Sequence, residues 1–359
     1  MSGKEGCSMN IREAVSDDNK ELQKLMAKCP QGTKLIVSVV NTPDFFARAK
    51  AYESYKVYVA YEGDQIIGSM AYAMRDAIVN GNNYSVGYIF QGFTSPYHRR
   101  KGVASQLYHH IENQLIQHGA VLSYGLIMED NQSSIRLIEG EGFKLHRTLD
   151  LSILLVYKEM DISSTIKIRP ISSEDLAEVA KLLNETWQGF DLYETTSAGA
   201  LASFISRTPA YSFDNLFVLE DQGEIVACLG FWNWSQITSL TVKALSLKLR
   251  MIGLLLDIIR YFRPMPRSIN SGSVLKQMVL TPIGFKNPRY LSMLLKYLNN
   301  LAFQRGIEQI FCFCKRNHVL LCSMKGFIRI DDKVYLYIKP LHENVSLSDQ
   351  PVFINGIDL

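Results

Sequence analysis

Along the chain, apolar positions change period in a fixed order, and that order occurs twice. "IREAVSDDNKELQKLM" from Ile11 and "IRPISSEDLAEVAKLL" from Ile168 each start with a short alternating run. A Ser-Asp or Ser-Glu cap follows, then apolar residues at helical spacing. "VYVAYEGDQIIGSMAY" from Val57 and "LFVLEDQGEIVACLGFW" from Leu216 both alternate about a Gly-containing polar turn, the pattern of a β-hairpin. "GAVLSYGLIMEDNQSSIRLIEGEGF" from Gly119 answers "GIEQIFCFCKRNHVLLCSMKGF" from Gly306. Each predicts a strand, a polar break, a helix and a closing Gly-Phe, with Gly142 and Gly326 placed as helix C-caps. Three matches in one order indicate a duplicated domain.

The polar run "KEMDISSTIK", Lys158 to Lys167, is the seam between copies. The second copy is longer between its hairpin and its last strands. The extra length holds a Leu-rich segment from Leu240 to Phe262 and the loop "RPMPRSINSGS" from Arg263. The expected fold class is α/β (α+β): two tandem domains, each a mixed, mostly antiparallel sheet flanked by helices. Their expected spans are residues 9–158 and 166–340, with a C-terminal tail over 341–359.

Between the strand "VGYIFQGFTS", from Val86, and the helix from Ser105 to His118 lies Arg99-Arg100-Lys101-Gly102-Val103-Ala104. The helix carries an apolar face of Val103, Leu107, Tyr108, Ile111 and Leu115. Free amides at a helix N-terminus, a glycine that admits close backbone approach and small Ala104 form a cradle for phosphate. The three cations add charge-assisted contacts.

Composition narrows the classes. The chain has 359 residues, 47% of them hydrophobic and 20% charged, which suits two globular domains with ample core. A net charge of +3 is too small for a whole-protein nucleic-acid footprint, and the basic turn, as a single loop, argues only weakly for such a partner. The N-terminus is polar, and "MIGLLLDIIRYF" from Met251 is short of a span and interrupted by Asp257 and Arg260. That segment is expected to be a buried helix, with no membrane partner and a cytoplasmic location. The cysteines, Cys7, Cys29, Cys228, Cys312, Cys314 and Cys322, lack ligand partners at zinc spacing, so reduced thiols and no metal are expected.

Arg99, Gly102 and Ala104 fit the Arg/Gln-x-x-Gly-x-Gly/Ala signature of the GNAT superfamily of N-acetyltransferases, and "NQSSIRLIEGEGF" from Asn131 fits its second signature. The resemblance covers Met9 to Lys158. The stretches "YVAYEGDQIIGSM", "SPYHRRKGVASQL" and "RTLDLSILLVY" further resemble the plant hookless-type acetyltransferases, which carry a second, altered half.

The resemblance implies acetyl-CoA as co-substrate and an amine acceptor. It implies that Phe93, Thr94, Arg99, Arg100, Lys101, Gly102, Val103 and Ala104 hold the cofactor, with Asn131 and Ser134 at its pantetheine arm. It also implies that the Gly92 amide polarises the acetyl oxygen. Two departures stand out. The Tyr that the family often uses to protonate the thiolate is replaced by Ile138, and the register of a frequent carboxylate base gives Tyr88. Tyr124 and Glu129 are the candidate substitutes, with Tyr108, His109 and His110 expected in the core or in solvent.

The second copy offers "MVLTPIGFKNPRYLS" from Met278, where Lys286 and Arg289 stand near a helix start but Pro288 removes an amide. It is expected to have lost the cofactor and kept the fold, with Trp187, Trp232 and Trp234 as possible acceptor contacts or core residues. The expected activity is acetyl-CoA-dependent N-acetyl transfer to a primary amine. Direct transfer in a ternary complex is expected, since no cysteine lies in or beside the cofactor motifs. The alternative is a catalytically weak acyl-CoA-binding regulatory module. Oligomeric state is not legible.

Overall fold

The computed structural model describes residues 9–162, 167–314, 318–342, 345 and 347–359. Cys7, the end of the seam at 163–166 and the side chain of Cys314 lie outside the described residues.

The first half runs β1 (Asn10–Glu13), α1 (Asn19–Ala27), β2 (Leu35–Asn41), β3 (Ser54–Glu62), β4 (Gln65–Val79), β5 (Asn82–Thr94), α2 (Val103–Gln117), β6 (Leu122–Met128), α3 (Gln132–Gly140) and β7 (Lys144–Leu155). The second begins β8 (Lys167–Pro170), α4 (Leu176–Thr186), α5 (Ala198–Arg207), β9 (Leu216–Asp221), β10 (Glu224–Trp232) and β11 (Thr238–Leu245). It continues α6 (Leu247–Arg260), β12 (Val274–Leu275), β13 (Gln277–Phe285), α7 (Pro288–Gln304), β14 (Gln309–Cys314), α8 (Leu320–Ser323) and β15 (Arg329–Pro340).

The duplicated opening has a shared clamp. A strand arginine grips the acidic residue that starts the helix: Arg12 reaches Asp18 at 2.6 Å, and Arg169 reaches Asp175 at 2.6 Å. Gly142 and Gly326 take positive φ, 89° and 96°, where their helices stop.

The two sheets are fused. Twelve strands form one sheet in the order β1-β3-β4-β5-β6-β15-β7-β14-β13-β10-β9-β8. At its centre the halves exchange strands. β15 of the second half lies between β6 and β7 of the first, pairing Tyr335 with Ile127 and Val334 with Leu149. β7 in turn lies against β14, pairing Ile153 with Phe311. The seam expected between residues 158 and 166 therefore does not divide the sheet. Only β1 and β8, four residues each, remain as its edges, a short exposure for open backbone groups.

One face of the sheet packs against α1, α4 and α5, through Leu22, Val179 and Leu201 among others, in a core that draws on both halves. The other face is covered by α2 in the first half and α7 in the second. Val103, Leu107, Tyr108, Ile111 and Leu115 of α2 are all buried, each aliphatic among them worth about 1.5–3 kcal/mol. The helix sits low on the sheet because Gly68 and Gly87 lie under it. A Cβ at Gly68 would stand 2.6 Å from Val103, and one at Gly87 2.5 Å from Leu115.

Two segments depart from expectation. The C-terminal stretch is no free tail, since Val352, Ile354, Ile357 and Asp358 are buried. The Leu-rich insertion forms α6, but only Gly253 of that helix is buried, so the expected buried helix is in fact a surface one. Its strand β11 joins β12 and the first half's β2 in a separate three-stranded sheet.

Candidate active site

β5 and β6 run parallel through Val86–Leu122, Gly87–Ser123 and Tyr88–Tyr124, and there their pairing ends. Beyond Tyr88, β5 pairs only with β4, and its register slips around Gln91 and Gly92. Gln91 takes a φ of 50°, and Gly92 is exposed in the opening with no β6 partner for its amide. The strand is splayed where the sequence places the cofactor.

The chain then turns through Ser95, whose amide donates to the Ile67 carbonyl at 2.8 Å, and reaches the cationic loop. Arg99, Arg100, Lys101 and Gly102 are all exposed. Arg100 and Gly102 both take left-handed backbone, φ 63° and 80°, and Gly102 is the N-cap of α2. No side chain caps this helix, so its first-turn amides are open to a ligand. A Cβ on Gly102 would meet only the Gln106 amide, at 3.8 Å, which leaves the approach open. Among the described residues no metal-binding cluster occurs.

Asn131 and Ser134 are close neighbours: Asn131 caps α3 by accepting the Ser134 amide at 3.2 Å. Ile138, on α3, is half-buried and packs against the core that includes the apolar face of α2. Cys29 corrects one expectation. Its thiol donates to the Thr94 carbonyl at 3.4 Å, so a cysteine does lie beside the cofactor strand. Burial pushes that thiol's pKa up and keeps it protonated, which suits a structural donor rather than a nucleophile.

The two proton-transfer candidates lie apart. Glu129 is exposed at the end of β6, accepting from Lys333 at 3.1 Å and from Tyr335 at 2.9 Å, and these donors hold its carboxyl below the usual range. Tyr124 is fully buried, and its hydroxyl donates to Asp358 at 3.2 Å. Tyr124 is thus committed to Asp358, while Glu129 stays ionised at the surface with Lys333 and Tyr335 on one of its oxygens. Tyr108 is in the core as expected, donating to Glu112 at 2.7 Å. His109 pairs with Glu141 at 2.7 Å, and His110 packs edge-on to Tyr58.

What sequence reasoning missed is Asp358. Its carboxylate accepts from Tyr52 at 2.9 Å and Tyr124 at 3.2 Å, and pairs with Arg75 at 3.3 Å. Its carbonyl accepts from Tyr88 at 2.5 Å and Arg48 at 3.0 Å. Burial, more than any other cause, raises all three phenols well above the ordinary value, so each remains a donor. The cluster closes the vertex of the splay, four residues and roughly 13 Å of strand from Gly92. The one available signal was the apolar run "PVFING" in the presumed tail.

The second half opens similarly and is filled. β13 and β14 pair through Gln277–Gln309, Met278–Ile310 and Val279–Phe311 only, and β13 bulges at Thr281 and Pro282. The C-terminal segment lies there. A Cβ on Gly356 would fall 2.4 Å from the Leu280 carbonyl, and Asn355 accepts from Thr281 at 2.8 Å. Pro282 has no amide to offer. Asn287 caps α7 with its own side chain, and Lys286 pairs with Glu224. The three tryptophans are core residues: Trp187 donates to Ile283 and Trp232 to Pro209, both at 2.7 Å, and Trp234 is buried beside Trp232.

Residues 17–143 match the family model described as the acetyltransferase (GNAT) family. The match lies within the first half and spans about a third of the chain. Over 99 residues the chain is 31% identical to the Arabidopsis thaliana protein named probable N-acetyltransferase HLS1, covering 26% of this chain and 25% of that one. The match thus spans about a quarter of that relative's length. Saccharomyces cerevisiae N-myristoyltransferase with bound myristoyl-CoA superposes with a TM-score of 0.65 at 13% identity, over 96% of this chain and 88% of the other. A GCN5-related N-acetyltransferase from Sphaerobacter thermophilus gives 0.56 at 12% identity, over 94% and 98%. At such identities the likeness is one of fold.

Proposed function

We propose that this chain transfers an acetyl group from acetyl-CoA directly to a primary amine, using one cofactor site in its first half. The observation that carries the reading is the uncapped N-terminus of α2, behind left-handed Gly102 and three exposed cations. Arg99, Arg100 and Lys101 with the amides of Gly102, Val103 and Ala104 would hold the pyrophosphate. Backbone at Phe93 and Thr94, with Asn131 and Ser134, would guide the pantetheine arm. The Gly92 amide would polarise the acetyl carbonyl.

In the transfer, the neutral amine forms a bond to the acetyl carbon as the carbon–sulfur bond breaks. The amine gives up a proton and the thiolate gains one. Ile138 offers no phenol, and the Tyr124 hydroxyl is engaged by Asp358. Proton transfer to sulfur therefore falls to solvent in this reading. The buried, protonated state of Cys29 supports direct transfer over an acetyl-enzyme.

The same absence of a free acid favours the second reading, an acyl-CoA-binding regulatory module with weak turnover. Thiol release by the pure protein across a panel of amines separates the two. Amine-dependent release supports the transferase. Calorimetric binding of acetyl-CoA without release supports the module, and no binding at all removes both.

A further inference from the structure

The surface helix α6 presents its apolar side to water. Leu247, Met251, Leu254, Leu255, Ile258 and, just past its end, Phe262 recur at the spacing that sets them on one stripe. All six are exposed, from 56% at Leu255 to 85% at Phe262. Gly253 faces the body of the protein, where a Cβ would come within 3.3 Å of Ser268. A continuous apolar stripe of this length is a binding surface, not the scattered exposure common to all proteins.

The surrounding charges indicate what covers it. From Lys243 to Arg267, six Lys and Arg residues stand against the single Asp257, and Asp257 is paired with Arg260 at 3.4 Å. This segment is more positive than the whole chain, whose net charge is +3. On the helical wheel Lys248 and Arg250 flank the stripe on opposite sides, and Arg263 and Arg267 continue the basic rim beyond it.

We propose that α6 and the turn after it dock into the interface of an anionic lipid bilayer. The stripe would enter the boundary of the acyl chains and the basic rim would meet the head groups. No helix among the described residues is long and apolar enough to cross a membrane, so the helix lies on the surface rather than spanning it. Self-association through this face sets two basic rims against each other, whereas an acidic bilayer satisfies the apolar and the charged parts together. The helix is held to the first half: Ser246, its N-cap, donates to the Lys34 carbonyl at 2.8 Å, and β11 pairs with β2. The expectation of no membrane partner rested on the length of a span and on its interruption by Asp257 and Arg260, and neither bears on a helix lying flat. The inference is independent of the acyl-transfer reading.

The test is co-sedimentation of the full chain with vesicles of phosphatidylcholine alone or mixed equally with phosphatidylserine. Binding to the mixed vesicles should be at least about tenfold tighter and should weaken as salt is raised. Leu254→Glu with Ile258→Glu should lower it by about tenfold or more at an unchanged melting temperature, because both side chains are already exposed. Lys248→Glu with Arg250→Glu should remove the preference for phosphatidylserine while thermal stability is kept. Failure to bind the mixed vesicles overturns the proposal, as does binding that both variant pairs retain. So does a dimer in sedimentation velocity that the Leu254 and Ile258 changes abolish, since a second copy would then be the occupant.

Discussion

Tyr88 and Asp358, 270 positions apart in sequence, meet at 2.5 Å, the phenol donating to the aspartate's carbonyl. This contact ties the strand that bears the cofactor opening to the last turn of the chain. It lies where β5 and β6 part, and Arg75, Tyr52 and Tyr124 complete it through the carboxylate.

Removing that carboxylate should be felt mainly through Arg75. The pair is buried, with side-chain exposures of 6% and 0%, so Asp358→Ala leaves an uncompensated interior cation and should cost about 3–5 kcal/mol. Tyr52→Phe removes one donor and should cost only about 0.5–1.5 kcal/mol. Urea unfolding of both variants checks the ordering. Equal stability of Asp358→Ala and the parent would mean the cluster contributes nothing.

Coenzyme A should titrate to one site per chain. Gly102→Glu should abolish binding, because it adds bulk and negative charge at a residue with a φ of 80°. Gly102→Ala separates strain from bulk, costing about 1–2 kcal/mol of backbone strain. Lys286→Ala, on the second half, should leave affinity unchanged. Two equivalent sites by calorimetry, or full affinity in folded Gly102→Glu, places the phosphates elsewhere.

Acid should act on the duplicated clamps. Hydrogen bonding from Arg169 holds the Asp175 carboxyl far below its usual range, and Arg12 lowers Asp18 in the same way. A carboxyl whose folded pKa is depressed stabilises the fold above its unfolded value, about 3.9, and loses that contribution as pH falls below it. Asp175→Asn should therefore be less stable than the parent at neutral pH, and the gap should narrow progressively as pH falls below about 4. A gap that does not depend on pH excludes the ion pair as its source.

Proton delivery to sulfur can be tested by restoring the missing phenol. Ile138→Tyr should raise the single-turnover rate, within the general-acid range of about 10²–10⁴-fold, without tightening cofactor binding. Glu129→Gln should leave that rate unchanged, since Glu129 is exposed and bound to Lys333 and Tyr335. A large fall in the Glu129 variant would return that carboxylate to the reaction.

Local periodicity made much of the fold legible. The hairpin turns, the α2 stripe from Val103 to Leu115 and the stops at Gly142 and Gly326 all follow from short-range patterning. The cationic turn was equally plain, because cradle and helix start are contiguous in the chain. Strand exchange was not legible, since β7 and β15 alternate just as they would within one half, and pairing partners leave no local mark. Asp358 was hidden for a related reason. Its partners lie at positions 52, 75, 88 and 124, and nothing nearby in sequence announces them. With α6 the helix was readable and its environment was not, because an apolar stripe reads the same whether core, lipid or water lies beside it.

The exchanged strands bear on how such a chain can change over generations. The first half holds the open cradle, yet β15, a strand in the interior of its sheet, comes from the second half of the sequence. A truncation that sheds the second half would also strip that strand from between β6 and β7, along with the aspartate that anchors Tyr88. The first half's sheet thus depends on the second half's backbone, although the second half's own opening is filled.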